Sequence, residues 1–598
     1  PHSVAGRPRP PHRTHTHRFT RRLITAHASA GPMNSLDGYI HETRIAYNSM
    51  EIPLRSERPT YSGGLGILAG DTLNSAADLE LPMVAVTLVS RQGYFRQSIN
   101  EQGWQQEAPD PWEPADWLTQ LDAKVALPIS GRTVWVGGWL YVLQGHMGGS
   151  QPAILLDTDL DENTVEDRAI TDYLYGGDQI YRLKQEMVLG IGGMRLLQAL
   201  GFEIREYHMN EGHSALLAVE LLRRYSFPAE DLRPGESPYD VPRVREQCSF
   251  TTHTPVEAGH DRFGYDLVQQ VAGEPFEMPM LKQLAGEDAL NMTRLALNLS
   301  EYVNGVAKRH AEVSRGMFPG YRVHAVTNGV HPFTWTSEPF RKLYDNRIPG
   351  WCHEAELLIR ADCCISDDEI WEAHRQAKQG LIDRVRILTG DNLDLQQPIL
   401  GFARRMTAYK RPDLLFSDIQ RLRAIAGHHP FQIVMAGKAH PHDTGGKQII
   451  ERLYAHARTL GDAITMIFLP GYDLSLAKRL VAGVDVWLNT PLRPLEASGT
   501  SGMKATFNGV PNLSVLDGWW IEGCIEGITG WAVGDSQEAD NSADAVSLYR
   551  KLEEVVLPLY YLNRSGWVAV MKGAITKNAA YFNSHRMMRR YATEAYIR

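Results

Sequence analysis

The chain has 598 residues, 43% of them hydrophobic and 22% charged, and carries a formal net charge of −9 at pH 7. That length suits two or three domains with sizeable cores. The acidic balance excludes a general nucleic-acid binder, which needs a basic surplus, and no apolar run reaches membrane-spanning length.

Residues 1–36 contain no Asp or Glu and are rich in Arg, His, Pro and Thr. They read as a leader outside the fold, either a transit segment or, better, an upstream extension ahead of Met33. Short apolar runs at 45–47, 83–88 and 153–156 predict buried strands. Segments 182–200 and 214–225 carry apolar residues every three or four positions and predict helices. A strand at 247–251 and a polar turn at 252–259 follow. A second series starts near Pro398, with strands at 399–403, 431–436, 464–469 and 484–488. Helices at 413–427, 444–460 and 474–481 alternate with them. This alternation predicts parallel βαβ units. The fold class is therefore α/β, with two Rossmann-like domains facing across a deep cleft and joined near 327–335. Ligands of such sheets bind at the carboxyl ends of the strands. The five cysteines are odd in number and form no C-x-x-C pair. A reducing compartment, the cytoplasm, fits better than a disulfide framework or a zinc ribbon.

Three loops carry chemistry. In Glu-Ala-Ser-Gly-Thr-Ser-Gly-Met-Lys-Ala-Thr-Phe (496–507), small residues lead into a helix bearing Lys504. Free backbone N–H groups at a helix start favour an anion, and Gly499 and Gly502 permit close approach. A lysine one turn on could form an imine with a phosphorylated cofactor. The Gly-Lys-Ser/Thr order of a P-loop is absent, which disfavours ATP. In Ala-Arg-Arg-Met-Thr-Ala-Tyr-Lys-Arg-Pro (403–412), three arginines and a lysine lie between a strand and a helix, a suitable trap for a phosphate dianion. An isolated turn of this kind is more often simply solvated. Tyr-Ser-Gly-Gly-Leu-Gly-Ile (61–67) is a glycine-rich turn before a helix, a weak signal by itself.

The segment 496–504 followed by Leu-Asp-Gly at 516–518 resembles the cofactor segment of the glycogen, starch and maltodextrin phosphorylases, in their short bacterial and archaeal form. The resemblance runs from about Ile45 to the last helix. It implies GT-B type architecture and pyridoxal 5′-phosphate (PLP) held as a Schiff base by Lys504. It further implies phosphorolysis of an α-1,4-glucan to α-glucose 1-phosphate. Thr500, Ser501, Gly502, Tyr472, Trp335, Gly63 and Gly64 would surround the cofactor. Arg405 and Lys410 would hold phosphate, capped by Gly64 and Leu65, with Tyr409 touching the sugar. His253, Asn328, Glu496, Ala497, Ser498, Gly499 and the segment from Val303 would bind sugar. His213 would sit at a domain contact near the site. Lys504, Arg405, Lys410, His253 and Glu496 are the catalytic set. His208 and His213 lack H-E-x-x-H spacing, so no metal is assigned. Asp473 departs from the arginine of the long enzymes. The short stretch before Tyr61 implies no control by phosphorylation there. Expected domains are 37–330, 331–570 and a C-terminal helix, 571–598, packing back on the first. Expected partners are glucan and inorganic phosphate, with a homodimer possible. A nucleotide-sugar glucan synthase and a non-catalytic glucan-binding protein are the competing readings.

Overall fold

The computed structural model describes residues 36–55, 58–273, 277–534 and 540–597. The leader reading falls outside these residues, except at Leu36, which is buried in the core. The described residues from Leu36 onward form a compact unit organised around two large sheets.

The first sheet has a parallel part in the spatial order His324–Ala325, Tyr302–Gly305, Cys248–Thr251, Glu206–Asn210, Ile45–Ser49, Met83–Leu88 and Ser150–Asp157. Chain direction along the sheet reverses between Ile45–Ser49 and Glu206–Asn210, which makes that gap a switch point. Beyond Ser150–Asp157 the sheet turns antiparallel through Arg132–Gln144 and Thr119–Gln120. This antiparallel part lies outside the alternation of strands and helices read from the sequence. Strands between 96 and 144 escape sequence reading because they are short or interrupted by glycine and half-exposed.

The second sheet is wholly parallel, in the order Met466–Leu469, Gln432–Ala436, Ile399–Ala403, Val486–Asn489, Asn512–Val515 and Gly530–Val533. In chain order this is 3-2-1-4-5-6, with its switch point between Ile399–Ala403 and Val486–Asn489. Most of these strands are buried on both faces, which is why they read as continuous apolar runs. The helix expected over 413–427 starts instead at Ile419, where the Asp418 side chain accepts the Arg421 N–H. The segment before it is occupied by a short turn, Leu414–Phe416. The basic loop therefore does not sit at a helix N-terminus, and its charge is carried by side chains alone.

The last helices reach back to the first sheet. Met587, Met588, Tyr591 and Ala595 pack with Tyr47 and Leu73. Ser584 shares a 2.6 Å hydrogen bond with Ser75, and Tyr302 donates to Glu594 at 2.7 Å. A hairpin, Arg96–Ile99 with Gln105–Ala108, ties the sheets together from another side. Gln97 donates to Gly437 O and accepts from Gly471 N, while Gln105 donates to Ala439 O and accepts from Ala439 N.

Candidate active site

Both switch points carry the chemistry. After Ile399–Ala403 comes the basic loop, and after Val486–Asn489 the chain runs through Glu496 to the helix Ser501–Thr506 that bears Lys504. That helix has six residues, so its dipole adds little and side chains set the local field. Gly502 is required by packing, because a Cβ there would lie 2.3 Å from Asn512 Oδ1. Ser501 accepts the Trp487 indole N–H at 3.1 Å.

Lys504 is buried, with its Nζ 4.2 Å above the centroid of the Trp335 ring. Trp335 Nε1 donates to both oxygens of Asp71, at 2.8 and 2.9 Å. Asn508 fastens the two elements, donating to Trp335 O at 2.8 Å and accepting from Ser337 N at 2.7 Å. Burial brings Lys504 down to about 8, with Asp71 acting in the opposite direction. A buried lysine of this kind is partly neutral near physiological pH and able to capture a carbonyl group.

Arg404 Nη2 and Lys410 Nζ both meet Glu496 Oε2, each at 2.6 Å. Burial alone would raise the Glu496 carboxyl, but the two cations outweigh it and hold it at about 2. The Glu496 backbone N–H donates to Asp517 Oδ2 at 2.8 Å, and Gly518 N to Oδ1 at 2.9 Å, so the Leu-Asp-Gly segment positions the carboxylate. Gly499 has φ +81°, and a Cβ there would also crowd the Glu496 side chain at 3.3 Å. Arg405 differs from its neighbours. Its side chain is open to solvent, yet Tyr94, Glu51 and Tyr175 surround it.

The first sheet brings its glycine-rich turn to this arginine: a Cβ on Gly63 would lie 3.2 Å from Arg405 Nη2. Gly63 precedes the helix Gly64–Asp78 and offers no capping side chain. The first N–H groups of that helix, from Gly64 and Leu65, have no intrahelical acceptor. Glu51 holds the turn from behind. It accepts the N–H of Ser62 and of Gly63, the latter at 3.1 Å, and the Tyr175 hydroxyl at 3.0 Å. Sequence reading missed Glu51, Asp71 and Tyr175. Glu51 was findable from its place two residues beyond a switch-point strand.

The remaining polar residues follow the carboxyl ends of the first sheet. His253 Nε2 lies 2.7 Å from Asn210 Oδ1, and its backbone N–H donates to Glu211 Oε2 at 2.7 Å. Burial lowers His253 and His213 to about 3, so both rings are neutral. It raises Glu211, which sits at φ +72°, to about 7. Asn328 Oδ1 and Ser498 Oγ are buried without a hydrogen-bond partner, as groups that await a ligand hydroxyl would be. Tyr472 is packed near Arg404 and Asp473, and burial pushes its phenol up. Asp473 caps the helix Leu474–Gly483 by accepting Leu476 N. The Val303 side chain is in the hydrophobic core, which leaves its backbone for any ligand contact. His208 is also removed, enclosed by Tyr47, Tyr591 and Tyr596.

Asp78, His331 and His585 place three metal-capable atoms within 4.8 Å of one another. His331 Nδ1 accepts the Thr334 N–H, which puts the ring proton on Nε2, 2.9 Å from Asp78. Hydrogen bonding accounts for that pair, and it joins the helix Gly64–Asp78 to the turn before Trp335. Among the described residues no helix is long and apolar enough to cross a membrane.

Taken together, the fold is α/β, its second sheet gathers a cluster of cations around Glu496, and its first sheet carries histidines held neutral by burial. The carbohydrate phosphorylase family model matches residues 55–135 and 256–526, and the chain belongs to that family. It is 39% identical to a maltodextrin phosphorylase of Thermococcus litoralis, an alignment covering 93% of this chain and 70% of the relative. It is 36% identical to a glycogen phosphorylase of Aquifex aeolicus, covering 92% and 86%. A glycogen phosphorylase of Mycobacterium tuberculosis is 35% identical, covering 93% and 71%.

Proposed function

We propose that the protein is an α-1,4-glucan phosphorylase that releases α-glucose 1-phosphate from the non-reducing end of glycogen, starch or maltodextrin, with PLP on Lys504. The observation that carries this reading is the meeting of Gly63 with Arg405 beside the Arg404–Glu496–Lys410 cluster. In this reading the two sheets belong to Rossmann-like domains, 37–330 and 331–570, that face each other across a cleft, with 571–598 packed back on the first.

The residues present fit the cofactor. Lys504 is buried and partly neutral, and the Trp335 indole lies against it. Thr500, Ser501, Gly502, Gly63, Gly64 and Tyr472 would complete the enclosure. When bound, PLP supplies a phosphate whose second pKa near 6 suits proton exchange at neutral pH.

Arg405 would receive the substrate phosphate with one face of its fork, and Lys410 would add a point charge. Lys410 is already held by Glu496, so the seat is pre-organised and does not collapse on the anion. Glu496 stays ionised and orients sugar hydroxyls without attacking the sugar. His253, neutral and giving its Nε2–H to Asn210 Oδ1, has Nδ1 left to accept a hydroxyl proton, and Asn328 Oδ1 and Ser498 Oγ accept hydroxyl protons into their empty positions. Tyr409, Leu65, Ala497 and Gly499 shape the wall. The bond between the terminal sugar carbon and the glycosidic oxygen breaks, a carbon–oxygen bond to phosphate forms, and the phosphate proton goes to the departing oxygen. Partial burial of the cluster disfavours water as the acceptor. We place the enzyme in the cytoplasm and allow for a homodimer.

Purified protein reconstituted with PLP should release glucose 1-phosphate from maltodextrin only when phosphate is added. Transfer from ADP- or UDP-glucose without PLP would replace this reading with a glucan synthase.

A further inference from the structure

Asp71 has no part in the chemistry above, although it is 3% exposed and its carboxylate is joined to the lysine through one indole. It lies on the helix Gly64–Asp78, the same helix whose first turn faces Arg405. Both of its oxygens hold the Trp335 N–H, and the face of that indole receives Lys504 Nζ. We propose that Asp71 is a positioning residue that governs the reactivity of Lys504, by fixing Trp335 beneath the amine and by supplying a negative charge inside its enclosure. The inference rests on the PLP reading for its biological purpose, but not for its test.

Two physical effects act in one direction. A carboxylate on the indole N–H draws the proton away and leaves the ring face more negative, which strengthens its attraction for an ammonium. The carboxylate also stabilises that ammonium directly across low-dielectric surroundings. The groups facing Asp71 are Lys504 on the helix Ser501–Thr506, Lys478 on the helix Leu474–Gly483, the Trp335 indole and the His331 backbone N–H. Burial raises Asp71 to about 6 and lowers Lys504 to about 8, so the two approach each other. With its titration near 8, about a tenth of the amine is neutral at pH 7, against well under a thousandth for an ordinary lysine. Only the neutral form captures an aldehyde. Its nitrogen forms the C=N bond, and the aldehyde oxygen leaves as water with the two amine protons. Asp71 thus sets a compromise: the lysine is reactive enough to load, yet charged enough to remain anchored over Trp335 beforehand.

The test is the titration of Lys504 in the cofactor-free full-length chain, followed by competitive acetylation and mass analysis of the Lys504 peptide from pH 5 to 10. A parallel series traps PLP on Lys504 with borohydride. Asp71→Asn keeps an acceptor for the indole N–H but removes the charge. It should shift both profiles at least one pH unit lower and raise labelling at pH 6.5 roughly tenfold. Asp71→Glu should restore the wild-type profile. Asp71→Ser serves as a second neutral variant should Asp71→Asn fold poorly. Coincident acetylation profiles for the wild type and a folded neutral variant would overturn the proposal. A wild type that traps no PLP at any pH would instead remove the cofactor reading, and the acetylation series would still decide the role of Asp71.

Discussion

On the side of the site built from the second sheet, two cations converge on one oxygen of Glu496 at 2.6 Å each, and a third, Arg405, stands open beside them. On the side built from the first sheet, His253 and His213 are held neutral by burial, and Asn328 offers an unpartnered amide oxygen. The difference matches what each side would hold. A phosphate dianion needs fixed positive charge that is already paired and oriented. A sugar needs hydrogen-bond partners without net charge, since buried charges left without a counterion are costly. In the proposed site the fixed cations thus come from the second sheet, while the sugar partners are shared between neutral groups of the first sheet and Glu496 and Ser498 of the second.

The comparison can be broken most drastically at Lys504. Lys504→Ala should fold, bind no PLP and lose phosphorolysis by at least ~10⁴-fold. Absorbance of the purified protein and a phosphate-dependent assay read both effects, and an active, cofactor-free variant would contradict the assignment. Next in size is Arg405→Ala, which removes the open cation. It should lower kcat/KM for phosphate by about 10²–10³-fold. The KM for glucan should move less than about threefold, because no neutral group is touched. Equal losses for both substrates would mean that the two sides are not separate. Asn328→Ala is the mirror-image change. It should raise the KM for glucan about tenfold, the worth of one good hydrogen bond, and leave the phosphate KM unchanged.

Much of this division was legible in the chain. The second sheet's strands are continuous apolar runs, and the Arg404–Arg411 loop and Glu496 follow the two strands that flank its switch point. The hairpin at 96–108 and the antiparallel strands beyond it were not legible, because Gln97 and Gln105 are polar residues buried by contacts with a loop more than 300 residues away. Asp71 was hidden for a related reason. It sits in a largely buried helix among small and polar residues that mark no face for it, and only tertiary packing brings it to Trp335. Val303 adds that a segment matched as a whole still turns individual side chains into the core.

The smallest predicted effect separates the two sides by pH. Glu496 is held at about 2 in the folded protein, below the ~4.3 of an unfolded chain. Its contribution to stability is therefore complete above pH ~4.3 and is lost as pH falls from there towards 2. His253 is also depressed, to about 3 from ~6.5, but it is a base. Below pH ~6.5 the unfolded chain takes up a proton that the folded ring refuses, so stability falls with pH between about 6.5 and 3. The neutral side should thus weaken first on acidification and the charged side only later. In denaturant titrations at pH 7 and 5, His253→Asn should reduce the stability lost by the wild type by about 1 kcal/mol, a figure discounted because the ring is partly accessible. Glu496→Gln should leave the loss between pH 7 and 5 unchanged and flatten the curve only below about 4. If Glu496→Gln alters the upper interval as much as His253→Asn does, the carboxylate and the histidine titrate as one network, and the cation cluster is not electrostatically separate from the neutral histidines.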